Sequence, residues 1–460
     1  MHVTSPVRSI DRARLDRLIE RERVSYVREH ARSRELFEQA QGSLLAGVPM
    51  VWMTMWPGGF PVFFDEARGS HVIDVDGHTY VDFCLGDTGS MSGHSPEPVV
   101  RALRERVEAR GGITTMLPSA DALVVGYELR RRFGVPLWQF TTSATDANRC
   151  VVRLCRQVTK RPYVLVFSRC YHGTVDETHI VLDADGSPRS KPGNVGPAVD
   201  PRVTTKVVEY NDVAALERAL APRDVACVLM EPVMTNIGIV PPLPGYLEEV
   251  RRLCDETGTL LVNDETHTWS AGPGGCTAAW ALRPDIVTLG KALASGVPIG
   301  AYGVSEALGE RILDDREADL IDGGGIGGTL AGYALASAAA KATLTEVLTD
   351  ETFDHMIAIA ERYADGVQAV IDSRALPWCI ARLGARAEHR FCPEVPRNGS
   401  ASFAAADTDL DEYLHLYTVN RGILITPFHN MALMCPDTSI ADIDLHSAVF
   451  AQAVDELFEQ

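Results

Sequence analysis

Short apolar runs alternate with amphipathic stretches through the centre of the chain, and this alternation sets the expected architecture. Leu137-Trp138-Gln139-Phe140-Thr141, Pro162-Tyr163-Val164-Leu165-Val166-Phe167, Val225-Ala226-Cys227-Val228-Leu229-Met230, Leu260-Leu261-Val262 and Asp285-Ile286-Val287-Thr288-Leu289-Gly290 read as short buried strands. Between them, residues 99–110, 122–132 and 246–256 carry helical spacing. From about residue 97 to 335 the pattern predicts an α/β fold, a mainly parallel sheet covered by helices on both faces.

The flanking segments read differently. Residues 9–45, starting at Ser9, form an expected polar helix, with Leu15, Leu18, Ile19, Val24, Tyr26 and Val27 near helical spacing. Such a helix packs on the body of the fold or on another subunit. Residues 70–83 alternate around an Asp76-Gly77 turn, the signal of a β-hairpin. The alanine-rich stretch 333–348 predicts a long helix leaving the central domain. Beyond it, a strand at 422–425 and an amphipathic helix over 443–457, with Asp442 as its N-cap, suggest a smaller α/β domain. The expected division is residues 1–75 as an N-terminal helix and strands, 76–335 as the large domain and 336–460 as the small one.

Composition narrows the function classes. A chain of 460 residues and 50.1 kDa, 46% hydrophobic and 23% charged, can bury a large core over two or three domains. A net charge of -19 argues against nucleic acid or an anionic membrane as partner, and leans weakly toward a cationic substrate. The first residues are charged almost at once (Arg8, Asp11, Arg12, Arg14), and no apolar run approaches the ~20 residues of a membrane helix, so a cytoplasmic protein is expected. Ten scattered cysteines without a C-x-x-C pair read as free thiols, with no metal site among them.

The candidate chemistry centres on Lys291, at the end of the run 285–290 and ahead of the Gly-rich loop 294–301, and on the acidic pair Asp264-Glu265 that follows the run 260–262. A lysine at the end of a buried strand is costly unless its amine is neutral or chemically committed. A Schiff base with an aldehyde cofactor commits it, and an upstream carboxylate can pair with the pyridinium nitrogen of pyridoxal 5'-phosphate, PLP. Each residue alone has an ordinary explanation, since most such lysines emerge into solvent and most Asp-Glu pairs lie in surface turns. Other segments supply further groups. Thr141-Thr142-Ser143-Ala144-Thr145-Asp146-Ala147 follows a strand and opens a helical run, as a phosphate site does, although an ordinary N-cap has the same composition. Tyr171-His172-Gly173 offers an aromatic face in a loop, and Glu231-Pro232 ends the strand 225–230. Asp264, Lys291, Tyr171, Glu231 and Ser143 all fall at C-terminal strand ends, the edge at which open parallel sheets bind ligands.

In order and spacing, Ser143-Ala144-Thr145-Asp146-Ala147, Cys170-Tyr171-His172-Gly173, Glu231-Pro232-Val233, Asp264-Glu265, Leu289-Gly290-Lys291-Ala292-Leu293 and Gly327-Gly328-Thr329-Leu330-Ala331-Gly332 resemble class III aminotransferases, in the glutamate-1-semialdehyde aminomutase-like branch. The resemblance runs from about Pro61 to near the C-terminus. It implies fold type I, with a seven-stranded type of sheet, PLP as cofactor and a cytoplasmic homodimer with shared active sites. It further implies that Lys291 forms the Schiff base and acts as the base of the proton shift, that Asp264 keeps the pyridinium protonated, and that Tyr171 and Thr266 face the two sides of the ring. Ser143, Ala144, Thr145, His172 and Glu231 join the cofactor site, and Thr329 completes the phosphate contacts of the neighbouring subunit.

Three departures stand out. Ala144 replaces the family's glycine, which requires a negative φ there. Residues 266–275 lack the usual valine-x-threonine-glycine pattern. Trp52 aligns where the aminomutases carry a carboxylate-binding arginine, and an aromatic ring cannot make that bidentate contact. Trp52 and His267 then suit an amine or amino sugar, or Trp52 merely packs, while Arg386 and Arg390 are candidates for binding a donor's carboxylate. The expected function is a PLP-dependent aminotransferase that moves an amino group between a small-molecule amine donor and a carbonyl acceptor. The alternatives are an aminomutase, racemase or epimerase on the same fold, and a non-catalytic partner subunit, which the intact Lys291 and Asp264 argue against.

Overall fold

A computed structural model describes residues 10–315 and 326–458. They group into two compact units, one of residues 97–353 with 396–404, the other of residues up to 96 with 354–395 and 405–460.

The large unit is built on a seven-stranded sheet in the order Leu137–Thr141, Gly300–Val304, Ile286–Leu289, Leu260–Asp264, Val225–Met230, Tyr163–Phe167, Thr205–Val208. Gly300–Val304 runs antiparallel to both neighbours, and the remaining strands share one direction. The strands Val225–Met230, Leu260–Asp264 and Ile286–Leu289 are buried along their whole length, which is why they read as unbroken apolar runs. The antiparallel strand was expected as part of a Gly-rich loop. Its glycines hide it and are needed there: a Cβ on Gly300 would lie 2.2 Å from the Ser143 carbonyl oxygen, and one on Gly303 would lie 2.6 Å from the Trp138 ring.

Helices Glu97–Arg104, Ala120–Phe133, Ala144–Thr159 and Tyr246–Thr257 fall where helical spacing predicts them. The alanine-rich helix is shorter than expected, Ala334–Ala342 with a π-helical turn at Thr343–Val347, and packs on Glu97–Arg104 and Ala120–Phe133. It therefore stays within the large unit, which closes at residue 353 and not at 335. Residues 396–404 return to this unit late in the chain, with the Arg169 guanidinium 3.8 Å from the Phe403 ring centroid.

In the small unit the leading helix is broken at His30 into Arg12–Glu29 and Ala31–Ala40, while Ser9 lies outside the described residues. The break has a long-range cause. The Asp76 carboxylate, from the hairpin turn, accepts hydrogen bonds from the Arg32 and Ser33 amides at 2.6 and 3.0 Å and so starts a second helix. Phe64–Arg68, His71–Asp74, Thr79–Asp82 and Ile423–Leu424 form one sheet, and Cys379–Leu383, Arg386–Arg390 and Met431–Leu433 another. The last helix runs over Ile440–Phe458. Asp442 is not its N-cap: the Asp442 amide donates to Ser439 Oγ at 3.2 Å and its carboxylate accepts from the Ser439 amide at 2.8 Å, a capping box that makes Ser439 the cap.

Of the five buried imidazoles described in this unit, His30, His389, His415, His429 and His446, the basicity of His389, His415 and His446 is lowered furthest. Burial lowers their pKa values to about 3, 4 and 3. Below about pH 6.5 the unfolded chain takes up protons that the folded rings refuse, so stability is lost as pH falls. Each ring contributes a slope of up to about 1.4 kcal/mol per pH unit. Melting curves between pH 7 and pH 5 should show a steep fall in Tm, and His446→Phe should make that fall shallower.

Candidate active site

The expected strand-end residues do lie on one edge of the large unit's sheet. Asp264 is the last residue of Leu260–Asp264, Glu231 follows Val225–Met230, Lys291 follows Ile286–Leu289 after Gly290, and Ser143 and Tyr171 come shortly after Leu137–Thr141 and Tyr163–Phe167. Because these strands are parallel, all five residues emerge at their common C-terminal ends. Lys291 has a left-handed backbone, φ 50°, unusual for a side chain with a Cβ and typical of positions held for function.

Asp264 is buried and held by three donors. Its Oδ2 accepts from Asn148 Nδ2 at 2.8 Å and pairs with His172 Nδ1 at 2.9 Å, and its Oδ1 accepts from the Thr266 amide at 3.1 Å. Burial alone would raise the pKa of this carboxyl, but the bonds from His172, Thr266 and Asn148 outweigh it and hold the group below the usual carboxylate range. The carboxylate is thus charged, and Oδ1 keeps capacity for a further donor. Nearby, Thr266 Oγ1, Asn148 Oδ1 and His172 Nε2 are buried without a hydrogen-bond partner. An ionised, oriented carboxylate among orphaned polar atoms fits a ring with a protonated nitrogen. Glu265 has a different task. Its oxygens accept from the Thr277 amide and hydroxyl, the Thr268 hydroxyl and the Cys276 amide, which pins the loop after the acidic pair.

Ser143 caps helix Ala144–Thr159, and Asp146 is tied by the Thr142 and Ser143 hydroxyls. Ala144 is the first helical residue and is not among the positive-φ positions, so the missing glycine costs nothing. Three glycines crowd this turn. A Cβ on Gly173 would lie 2.1 Å from Thr145 Oγ1, one on Gly290 2.7 Å from the Ala144 Cβ, and one on Gly300 2.2 Å from the Ser143 carbonyl oxygen. The amides of the first turn lack intrahelical acceptors, and with the helix dipole they suit a phosphate.

Lys291 leads into a hydrogen-bonded chain. Its Nζ lies 2.5 Å from His267 Nε2, His267 Nδ1 lies 2.9 Å from Thr235 Oγ1, and that hydroxyl donates to Glu231 Oε1 at 2.5 Å. The Thr235 amide donates to Glu231 Oε2 at 3.1 Å. Burial pushes the Glu231 carboxyl up to about 7, against the Thr235 bonds that lower it. His267, expected beside the substrate, is a direct neighbour of the lysine.

The other candidates are distributed as follows. Tyr171 is half-buried, edge-on to His179 at 6.4 Å. Thr329 is exposed in the segment ahead of Ala334–Ala342. Trp52, 41% exposed, meets Phe428 edge-on at 5.6 Å within the small unit. Arg386 and Arg390 are buried in that unit, Arg386 donating to Thr88 Oγ1 at 2.9 Å and Arg390 lying 4.0 Å from Glu388. Asn148 and Thr235 were not foreseen. Asn148 does carry a signal, as a polar residue on the apolar face formed by Cys150, Val151, Val152 and Cys155.

The class-III aminotransferase family model matches residues 53–452. A glutamate-1-semialdehyde 2,1-aminomutase of Anaeromyxobacter sp. strain Fw109-5 is 30% identical over 432 residues, 92% of this chain and 98% of the relative. The structure of a glutamate-1-semialdehyde aminomutase from Pseudomonas aeruginosa PAO1 superposes with a TM-score of 0.95 at 45% identity, over 98% of this chain and 100% of that one. A variant of it has been solved in complex with PMP. An omega-transaminase from Sphaerobacter thermophilus, 23% identical with a TM-score of 0.82 over 93% and 98% of the two chains, shares the fold.

Proposed function

The chain belongs to the class-III aminotransferase family, and on that footing we propose that it is an aminomutase, moving an amino group within one substrate skeleton. It is a PLP-dependent enzyme of fold type I. The observation that carries the aminomutase reading is the full-length likeness, at 45% identity, to a glutamate-1-semialdehyde aminomutase. This revises the expected intermolecular aminotransferase in favour of its alternative. The transaminase remains the second reading, supported by the aromatic Trp52 beside Phe428 where a carboxylate-binding cation was looked for.

When bound, PLP supplies an aldehyde for the amine and a ring that takes up electron density. Asp264, kept ionised by His172, Asn148 and Thr266, holds a proton on the ring nitrogen. The first-turn amides at Ala144 and Thr145 hold the phosphate, with Ser143 alongside. Tyr171 and Thr266 would contact the ring. Lys291 would be the residue that holds the cofactor covalently and that moves the substrate's proton. A homodimer in which Thr329 of one protomer completes the phosphate site of its partner belongs to the same reading.

The test is to incubate the cofactor-loaded enzyme with glutamate-1-semialdehyde, and separately with a panel of amines and amino acids. The expected result is the isomer with the amino group moved from C2 to C1 and the carbonyl from C1 to C2, with no stoichiometric release of a deaminated product. Release of one deaminated carbonyl product per amine consumed would replace this reading by the transaminase.

A further inference from the structure

The chain from Lys291 to Glu231 runs through side chains that packing alone does not require to be polar. Glu231 and Thr235 are buried, at 5% and 4% exposure, and both oxygens of the carboxylate are used by Thr235. The donor directions agree along its length. Glu231 Oε1 accepts the Thr235 hydroxyl, so that Thr235 Oγ1 accepts from His267 Nδ1–H, which leaves a lone pair on His267 Nε2 facing Lys291 Nζ. Each link is within hydrogen-bond distance.

We propose that His267, Thr235 and Glu231 form a proton relay that takes the proton from the Lys291 ammonium and lodges it on the buried Glu231 carboxyl. In the transfer, Lys291 Nζ–H breaks as His267 Nε2–H forms, His267 Nδ1–H breaks as Thr235 Oγ1–H forms, and the Thr235 proton passes to Glu231 Oε1. One proton moves, no electrons are gained or lost, and a separated ammonium and carboxylate become a neutral amine and a neutral acid. The neutral amine is the form able to act as base. His267, Thr235 and Glu231 act through Lys291 and are positioning residues.

The environment of Glu231 suits a proton store. Burial pushes its carboxyl up to about 7, and among the charged groups around it Asp264 raises it further while His172 lowers it. The ordinary reading is that Thr235 satisfies a buried acid and the histidine fills the space beside it. That accounts for the two Thr235 bonds to Glu231, but not for a histidine whose two nitrogens face Thr235 and the lysine.

The inference rests on the PLP reading for its purpose, and its test stands apart from it. Infrared pH titration of the cofactor-free protein follows the Glu231 carboxyl, the band being assigned by its loss in Glu231→Gln. Thr235→Val and Lys291→Ala should each move the Glu231 midpoint by about one pH unit, roughly tenfold in proton occupancy at fixed pH, while Thr235→Ser restores it. In the holoenzyme, the pH midpoint of the cofactor's visible band should move in Thr235→Val and return in Thr235→Ser. An unchanged Glu231 midpoint in folded Thr235→Val and Lys291→Ala protein overturns the relay. Failure of the wild-type protein to take up PLP would overturn the proposed function and leave the infrared result standing.

Discussion

Lys291→Ala should abolish catalysis: turnover should fall by ~10⁴-fold or more, because the substitution would remove both the proposed covalent anchor and the proposed proton carrier. The rest of the site predicts what survives. Asp264, Asn148, His172 and Thr266 hold one another without help from the lysine, and the phosphate turn is built from a different strand end. The variant should therefore still bind PLP, now non-covalently. Borohydride reduction followed by mass spectrometry should find no cofactor attached to the variant, whereas the wild type should carry it on Lys291. Sustained multiple turnover by the variant would dismiss the assignment. The fold should not suffer, since alanine at 291 inherits the same left-handed backbone strain of about 1–3 kcal/mol and leaves the buried Asp264 network intact.

Asp264→Asn should have the second largest effect, on activity and stability together. Losing the charge that keeps a proton on the ring nitrogen should lower kcat by about 10²–10³-fold, the scale of removing one preorganised electrostatic contact. The same change leaves His172 without its anionic partner and weakens the bond from Asn148, at a cost of about 1.5–3 kcal/mol per charged hydrogen bond lost. The pH dependence follows from the direction of the shift. A carboxyl whose folded pKa is depressed contributes stability above its unfolded pKa of about 3.9, and loses it only as pH falls through the folded value. Against the lowering effect of burial, Cys170 and the Asp264 carboxylate hold the His172 imidazole above its ordinary value, so the stability gap between wild type and variant should widen from pH 7 to pH 5 in denaturant titrations. A variant as stable as wild type would mean that the buried carboxylate contributes nothing to the fold.

The strand-end residues were legible because buried parallel strands are unbroken apolar runs, and whatever follows each run must surface at one edge. That placed Ser143, Tyr171, Glu231, Asp264 and Lys291 before any coordinates. What stayed hidden depended on partners distant in sequence. Gly300–Val304 looks like a loop because its glycines make room for Trp138 and Ser143, a demand no local pattern records. The break at His30 is made by Asp76, 44 residues beyond Arg32. Thr235 reads as an unremarkable loop residue until the fold sets its hydroxyl between Glu231 and His267. Arg386 and Arg390 were singled out for their charge, yet the strand that carries them is buried along its length.

The division of the chain also governs the order of its birth. On the ribosome every strand of the large unit's sheet has been made once residue 304 has emerged, so this half can begin to close while synthesis continues. The small unit cannot, because its first 96 residues have to wait for partners encoded after residue 353. Through that interval the nascent N-terminal segment carries Leu45, Val51, Trp52 and Met55, apolar groups that remain solvent-facing even in the folded chain. The helix Arg12–Glu29, whose Leu15, Leu18 and Tyr26 are buried in the folded unit, packs on Thr408–Val419 and lacks that cover until the end of synthesis.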